Sequence, residues 1–100
     1  MKIEFENENK MALEDFNSDY FNARGAELYR DEEYETAIEY YRIAAAMGNV
    51  QSQANLGYCY YYGRGCERDL KLAYAYFKMA ARFKNTDALY KLSTMYEHGK

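Results

Sequence analysis

The sequence contains no proline and no tryptophan, and it has only six glycines among its 100 residues. Proline and glycine are the residues that most often interrupt helices, so their scarcity favours long helices over a turn-rich fold. A chain of this length forms one small domain and buries only about 60–65% of the surface that its unfolded form exposes. We therefore expect a helical domain with a modest core and no room for a deep catalytic cavity.

Charge of one sign is also scarce, because the formal net charge is −3. The excess acid lies at the N-terminus, where residues 1–19 hold six Asp and Glu against two Lys. No basic stripe is present to follow a phosphate backbone, which argues against a nucleic-acid partner. We interpret residues 1–16 as an acidic leader, either a disordered tail or an extension of the first helix through Met11, Leu13 and Phe16.

Long hydrophobic runs are missing as well. No stretch reaches the ~18 apolar residues of a membrane helix, and residues 1–6 lack the apolar core of a signal peptide. Two cysteines, Cys59 and Cys66, are too few for a disulfide framework. We therefore expect a cytoplasmic protein without a membrane partner, whose cysteines are reduced and substantially buried.

Residues for catalysis or metal binding are equally few. His98 is the only histidine, whereas a zinc site needs three or four ligands at suitable spacing. No Ser or Cys accompanies His98 in the pattern as a nucleophile would. The turn Gly63-Arg64-Gly65 lacks the Lys-Ser/Thr pair of a phosphate-binding loop. We expect no enzyme, no metal and no cofactor.

The sequence is rich in tyrosine, with 13 residues, and it contains an internal repeat. A shift of 36 residues places residues of like chemistry on one another: Ala37 on Ala73, Tyr40 on Tyr76, Tyr41 on Phe77, Ala44 on Ala80, Leu56 on Leu92 and Tyr60 on Tyr96. Repeats of this period are typical of helical solenoids. The tyrosines at positions 34, 41, 60 and 96 fall on the core positions of the repeat, whereas those at 58, 61, 62 and 90 do not.

Apolar residues within each half repeat recur at helical spacing, which predicts five helices in a single domain over residues 17–100. The expected helices are 18–31, 33–47, 50–62, 70–84 and 86–98. Polar residues suited to an N-cap precede four of them, namely the run Asn17-Ser18-Asp19, Asn49, Asp69 and the pair Thr86–Asp87. Glycines suited to a C-cap follow, namely Gly48, Gly63 and Gly99.

The run from Leu56 to Gly65, followed by Asp69 and by residues 71–81, closely resembles the Sel-one-like repeat, a longer-looped relative of the tetratricopeptide repeat. It has the Leu-Gly-x-x-Tyr pattern, the Gly-x-Gly turn and the run of Ala and aromatic residues. The resemblance implies an all-α solenoid of about two and a half repeats, in which antiparallel helix pairs form a right-handed superhelix. It also implies a scaffold or adaptor without a shared catalytic activity.

In that family the first helix of each pair lines the concave surface. Carried over, the resemblance predicts a partner-binding surface made of Asn22, Tyr29, Arg30, Gln51, Tyr58, Tyr61, Tyr62, Asp87, Tyr90, Glu97 and His98, with Asp19, Ala26, Ala54 and Thr94 on the same face. Tyrosine suits such a surface because it offers apolar area with a polar tip. The expected partner is a protein or a peptide.

Three alternatives to this interpretation stay open. In the first, the extra tyrosines only pack against neighbouring helices and have no binding role. In the second, the chain is a small hydrolase or transferase, although no convergent set of titratable groups supports that. In the third, it binds single-stranded nucleic acid by stacking bases on Tyr58, Tyr61 and Tyr62.

Overall fold

The computed structural model describes residues 15–97, apart from the side chain of Glu97. This part of the chain folds into five helices and no strand: α1 (Ser18–Arg30), α2 (Tyr34–Ala46), α3 (Val50–Tyr62), α4 (Leu70–Ala81) and α5 (Thr86–Glu97). All five predicted helices are confirmed. The clearest difference is at α4, which ends at Ala81 because Lys84 turns into the left-handed region at φ 62°. Residues 1–14 of the predicted leader and the predicted C-cap Gly99 lie outside the described residues.

Side-chain caps determine where four of the helices begin. The side chains of Asn17, Asn49 and Asp69 each accept a hydrogen bond from the backbone N–H three residues later, at 2.8–3.0 Å. Asn49 and Asp69 are confirmed as predicted caps, and Asn17 is the residue of the predicted run 17–19 that caps α1. The cap of α5 is Asn85, which accepts from a backbone N–H at 2.9 Å. The prediction of Thr86–Asp87 was wrong because Thr86 is already helical and Asn caps as well as Asp does.

The helices pack in the order in which they follow along the chain. The pairs α1–α2 and α3–α4 make the most extensive contacts, α2 packs on α3 and α4 on α5, and α3 also touches α5. Short connections make successive helices antiparallel neighbours. The described residues therefore form the predicted α-solenoid, with the first helices of successive pairs, α1, α3 and α5, on one side.

Two glycines bring the paired helices close together. A Cβ built on Gly25 of α1 would lie 2.7 Å from the Tyr41 ring of α2, and one built on Gly57 of α3 would lie 2.7 Å from the Phe77 ring of α4. Real Cβ atoms do not approach a carbon that closely. Since Tyr41 and Phe77 are equivalent in the 36-residue repeat, both pairs use the same glycine–ring contact.

Small residues complete the core at the predicted positions. Ala44 and Ala80, which the repeat places between helices, have no exposed surface. The same is true of Leu56 and Phe77. Because these alanines sit where helices approach most closely, a larger side chain would overpack the contact.

The tyrosines agree only in part with their predicted positions. Tyr41 and Tyr60 are buried as expected. The prediction for Tyr96 is wrong, since its ring meets only the edge of α4 at Tyr74 and is 64% exposed. Tyr60 owes part of its burial to the paired helix α4, where its ring stacks on Tyr76 with the centroids 5.8 Å apart. Tyr40, which was not predicted as core, is only 2% exposed because α2 is covered on one side by α1 and on another by α3.

The two cysteines differ in burial, although both were expected to be substantially buried. Cys59 of α3 has no exposed surface, and this burial raises the pKa of its thiol to about 12. Cys66 lies in the loop after α3 and is only partly buried. This partial burial also raises the pKa of its thiol. Both thiols are free.

Gly57→Ala tests the glycine–ring contact. Overpacking against the buried Phe77 ring costs about 1–3 kcal/mol, whereas Ala in place of Gly contributes about 1 kcal/mol of helix propensity. Three atoms of the Phe77 ring would lie 2.7–2.9 Å from the new Cβ, so we expect the overpacking cost to fall in the upper part of that range. The net loss in the free energy of unfolding, measured by urea denaturation, should then be about 1–2 kcal/mol. Ser93 is exposed at the equivalent position of α5, so Ser93→Ala should change stability by less than about 0.5 kcal/mol. A Gly57→Ala variant as stable as the parent would contradict the contact.

Alkylation with iodoacetamide tests the burial of the cysteines. Only the thiolate reacts, so a raised pKa slows labelling, and labelling accelerates as pH rises towards the pKa. At about pH 8, Cys66 should be modified in the native protein and Cys59 only in denaturant, as mass spectrometry would show. The Cys66→Ser variant isolates Cys59 and serves as the control. Rapid native labelling of Cys59 would disprove its burial.

Candidate functional site

The C-terminal half of α3 carries three tyrosines whose rings touch one another. Tyr58 and Tyr62 lie four residues apart, and their rings stack in parallel with centroids 6.3 Å apart. Tyr61 meets the Tyr62 ring edge-on at 4.9 Å. The helical spacing predicted a shared face, and the rings are in fact contiguous.

Arg64 lies in the turn that follows these tyrosines. Gly63 ends α3 in the left-handed conformation at φ 69°, and this reversal lets the Arg64 N–H donate to the Cys59 carbonyl at 2.9 Å. The turn sends the arginine side chain back over the ring of Tyr62, with the guanidinium carbon 4.9 Å from the centroid. The position of this cation therefore depends on the glycine turn.

The same guanidinium reaches rings of the first helix pair. It lies 5.7 Å from the centroids of both Tyr29 and Tyr34, and it donates a hydrogen bond to the Tyr29 hydroxyl. The two rings meet edge-on at 4.9 Å. We name the resulting continuous surface the tyrosine strip; it consists of Tyr29, Tyr34, Tyr58, Tyr61 and Tyr62.

Two further cations border the strip. The Lys91 ammonium of α5 lies 4.0 Å from the Tyr61 centroid and 5.2 Å from that of Tyr62, and it donates to the Tyr62 hydroxyl at 3.3 Å. Arg68 lies 5.9 Å from the Tyr61 centroid and donates from Nε to the Tyr61 carbonyl at 3.0 Å. Sequence reasoning missed Arg64, Arg68 and Lys91. The Gly63-x-Gly65 turn was the one signal that singled out Arg64.

The strip is partly exposed and partly anchored in the core. Tyr62 is 49% exposed, whereas Tyr58 and Tyr61 pack against the core, and Tyr58 meets the Phe77 ring edge-on at 5.1 Å. Burial, with the nearby Asp87 carboxylate, raises the pKa of Tyr58, so its hydroxyl stays protonated. The expectation that Tyr58 and Tyr61 lie outside core packing is therefore corrected, because α3 is close enough to α4 to bury their inner edges.

Several predicted partner-binding residues instead bond to neighbouring repeat units. The Asn22 side-chain oxygen accepts from the Ser52 hydroxyl at 2.6 Å and from the Asn55 amide at 3.1 Å. Gln51 accepts from the Asn85 amide at 3.0 Å. These bonds connect α1 to α3 and α3 to the turn before α5, so the polar groups of Asn22 and Gln51 are engaged within the protein.

The remaining predicted residues have different positions. Tyr90 is 69% exposed on α5, and Asp87 and Arg30 are also exposed. Ala54 is a correction, since it is fully buried in the core, where the close approach of the neighbouring helices leaves it no surface. His98 and the side chain of Glu97 lie outside the described residues. The other three were placed on the same face: Ala26 is partly buried, Asp19 accepts from the Asn49 amide at 3.0 Å, and Thr94 donates to the Lys91 carbonyl at 2.8 Å.

The tyrosine strip is the candidate binding surface among the described residues. In residues 15–97 no three or more His, Cys, Asp or Glu side chains are placed to hold a metal ion. None of the described helices combines the length and apolarity needed to span a bilayer. The strip presents flat apolar rings with hydroxyl groups and cations at their edges.

Comparison with known proteins identifies the repeat. The Sel1 repeat matches residues 9–49, 50–82 and 86–100. Protein sel-1 homolog 2 of Homo sapiens is 35% identical over 73 residues, which are 72% of this chain and 11% of that protein. The ERAD-associated E3 ubiquitin-protein ligase component HRD3A of Arabidopsis thaliana is 36% identical over 69 residues, which are 69% of this chain and 10% of that protein. The chain thus spans about a tenth of the length of these relatives.

The boundaries of the matches agree with the helix pairs. The first match ends between α2 and α3, the second covers α3 and α4, and the third contains α5. The Sel1 repeat is a helical solenoid unit that serves in protein-interaction adaptors and is typically not catalytic. The chain belongs to the Sel1 repeat family.

Proposed function

We propose that this chain is a non-catalytic protein-interaction module that holds a peptide segment of a partner protein along the tyrosine strip. The observation that carries the proposal is the joining of five rings from α1, α2 and α3 into one surface by Arg64. Tyrosine rings dominate the binding energy of many interfaces because they bury much apolar area at low entropic cost. Tyr90 extends the same side of the solenoid on α5.

The packing of the strip supports binding over simple padding between helices. Tyr62 keeps about half of its surface exposed, yet its ring is held by Tyr58, Tyr61 and Arg64. A ring that is already ordered loses little conformational freedom when a partner covers it. An extended or helical peptide with apolar anchors would fit such a surface.

Single-stranded nucleic acid is the second candidate, favoured by the three cations beside the rings. Base stacking needs open ring faces, whereas Tyr58 and Tyr61 are partly buried and Tyr62 stacks on Tyr58. Three cations on a chain of net charge −3 are also too few to follow the many phosphates of a nucleic-acid backbone. Binding of an oligonucleotide with a steep salt dependence would favour this candidate.

The cytoplasmic location stays a prediction, tested by microscopy of the tagged protein in its source cell.

The double substitution Tyr62→Ala with Tyr90→Ala tests the proposal. Peptides that bind the parent are first selected from a phage-displayed random library, and their affinity is then measured by isothermal titration calorimetry. Both rings are half or more exposed, so the variant should lose about 2 kcal/mol or more of binding free energy while its thermal midpoint changes little. Tyr58 is avoided because its contact with Phe77 would couple binding to stability.

Tyr96→Ala is the matched control. Tyr96 is 64% exposed on the same helix as Tyr90, but its ring meets Tyr74 of α4 and not the strip. Its removal should leave peptide affinity unchanged. Normal binding by the Tyr62/Tyr90 variant, or an equal loss in the Tyr96 variant, would exclude the strip as the site.

A further inference from the structure

We propose that the segment bound at the tyrosine strip is acidic, and that Arg64 and Lys91 bind its carboxylates next to Tyr62. This inference rests on the proposed function, since it names the chemistry of the same occupant. It concerns which peptide segments the strip selects. The rings alone do not discriminate between segments, because any apolar side chain can pack on them.

The geometry places two positive charges at one ring. The Arg64 guanidinium carbon and the Lys91 ammonium lie 4.9 Å and 5.2 Å from the Tyr62 centroid. Among the side chains that the structure describes, no carboxylate forms an ion pair with either cation. Asp87 precedes Lys91 by four residues, a spacing that often pairs charges on a helix. Lys91 nevertheless extends over Tyr61, at 4.0 Å from the centroid.

Most hydrogen-bond donors of both cations remain available. A guanidinium has five N–H donors and an ammonium has three. Among the described residues, Arg64 donates to the Tyr29 hydroxyl and Lys91 to the Tyr62 hydroxyl. The ring contacts orient the cations without using further donors, so a carboxylate meets groups that are already positioned.

Stabilisation of α3 alone does not account for this arrangement. Cations at the C-terminal end of a helix offset its dipole and bond to its last carbonyls. Arg68 does this, since its Nε donates to the Tyr61 carbonyl. Lys91 comes from α5 and bonds to a tyrosine hydroxyl instead, so its position is set by the strip.

The test selects peptides on the whole chain and then varies their charge. Binders from a random phage library should be enriched in Asp and Glu beside apolar residues. Selected peptides are then made in matched Glu, Gln and Lys forms, and fluorescence anisotropy gives their affinity. The Glu form should bind about tenfold more tightly than the Gln form, the sum of two exposed ion pairs, and the difference should shrink at about 0.5 M salt.

Charge variants of the protein assign the effect to the two cations. Arg64→Gln with Lys91→Gln should abolish the preference for Glu, so that this variant binds the Glu and Gln forms equally; a loss of affinity that both forms share reports the contacts of Arg64 with the rings. Arg64→Glu with Lys91→Glu should shift the preference to the Lys form. The matched control is Arg82→Gln, which removes an exposed cation at the end of α4 and should keep the preference.

The outcomes separate this inference from the proposed function. Equal affinity for the Glu, Gln and Lys forms, together with loss of all three in Tyr62→Ala, would overturn the acidic selectivity and leave the strip as the site. Binding of an oligothymidylate in preference to every peptide would overturn both. Persistence of the Glu preference in the double Gln variant would place the selecting charge elsewhere and overturn the inference.

Discussion

In each helix pair, a glycine of one helix touches an aromatic ring of the other. This contact sets the distance between the paired helices, and the positions of the other side chains follow from it. Gly25 with Tyr41 and Gly57 with Phe77 hold each helix pair at a distance that no larger residue would allow. Because the Phe77 ring lies directly on α3 at Gly57, Tyr58, which follows Gly57 in the chain, packs edge-on against the same ring. The packing of the core thus continues without a break into the surface tyrosines.

This continuity makes the candidate site rigid. Tyr58 and Tyr61 have one edge in the core and one towards solvent, and they support the more exposed Tyr62. The left-handed turn at Gly63 then returns Arg64 over the rings. A binding surface built from the edges of core residues is ordered before a partner arrives, which lowers the entropic cost of association.

Polar contacts between successive units keep the first helices in register. Asn22 accepts hydrogen bonds from Ser52 and Asn55 of α3. These bonds complement the apolar packing of α2 on α3, since buried polar groups need such partners. Only with α1 and α3 held in this register can Tyr29 and Tyr62 share a single guanidinium. The site therefore belongs to the junction of two repeat units and to neither unit alone.

The five helices, the buried alanines and the shared face of Tyr58, Tyr61 and Tyr62 could be predicted because they follow from spacings of three and four residues within one helix. Three of the four side-chain caps could be predicted because Asn and Asp are favoured at that position. Packing between helices sets which tyrosines are covered: Tyr60 lies against Tyr76 of the paired helix α4, whereas Tyr96 meets Tyr74 at one edge and stays mostly exposed. It also decided that Asn22 and Gln51 bond within the protein, and that Arg64 and Lys91 meet at Tyr62. The contacts of Asn22, Gln51 and Lys91 join residues 29 to 34 positions apart in the chain. Their geometry depends on how far the turns and close glycine contacts rotate one helix against another, which periodicity within a helix does not encode.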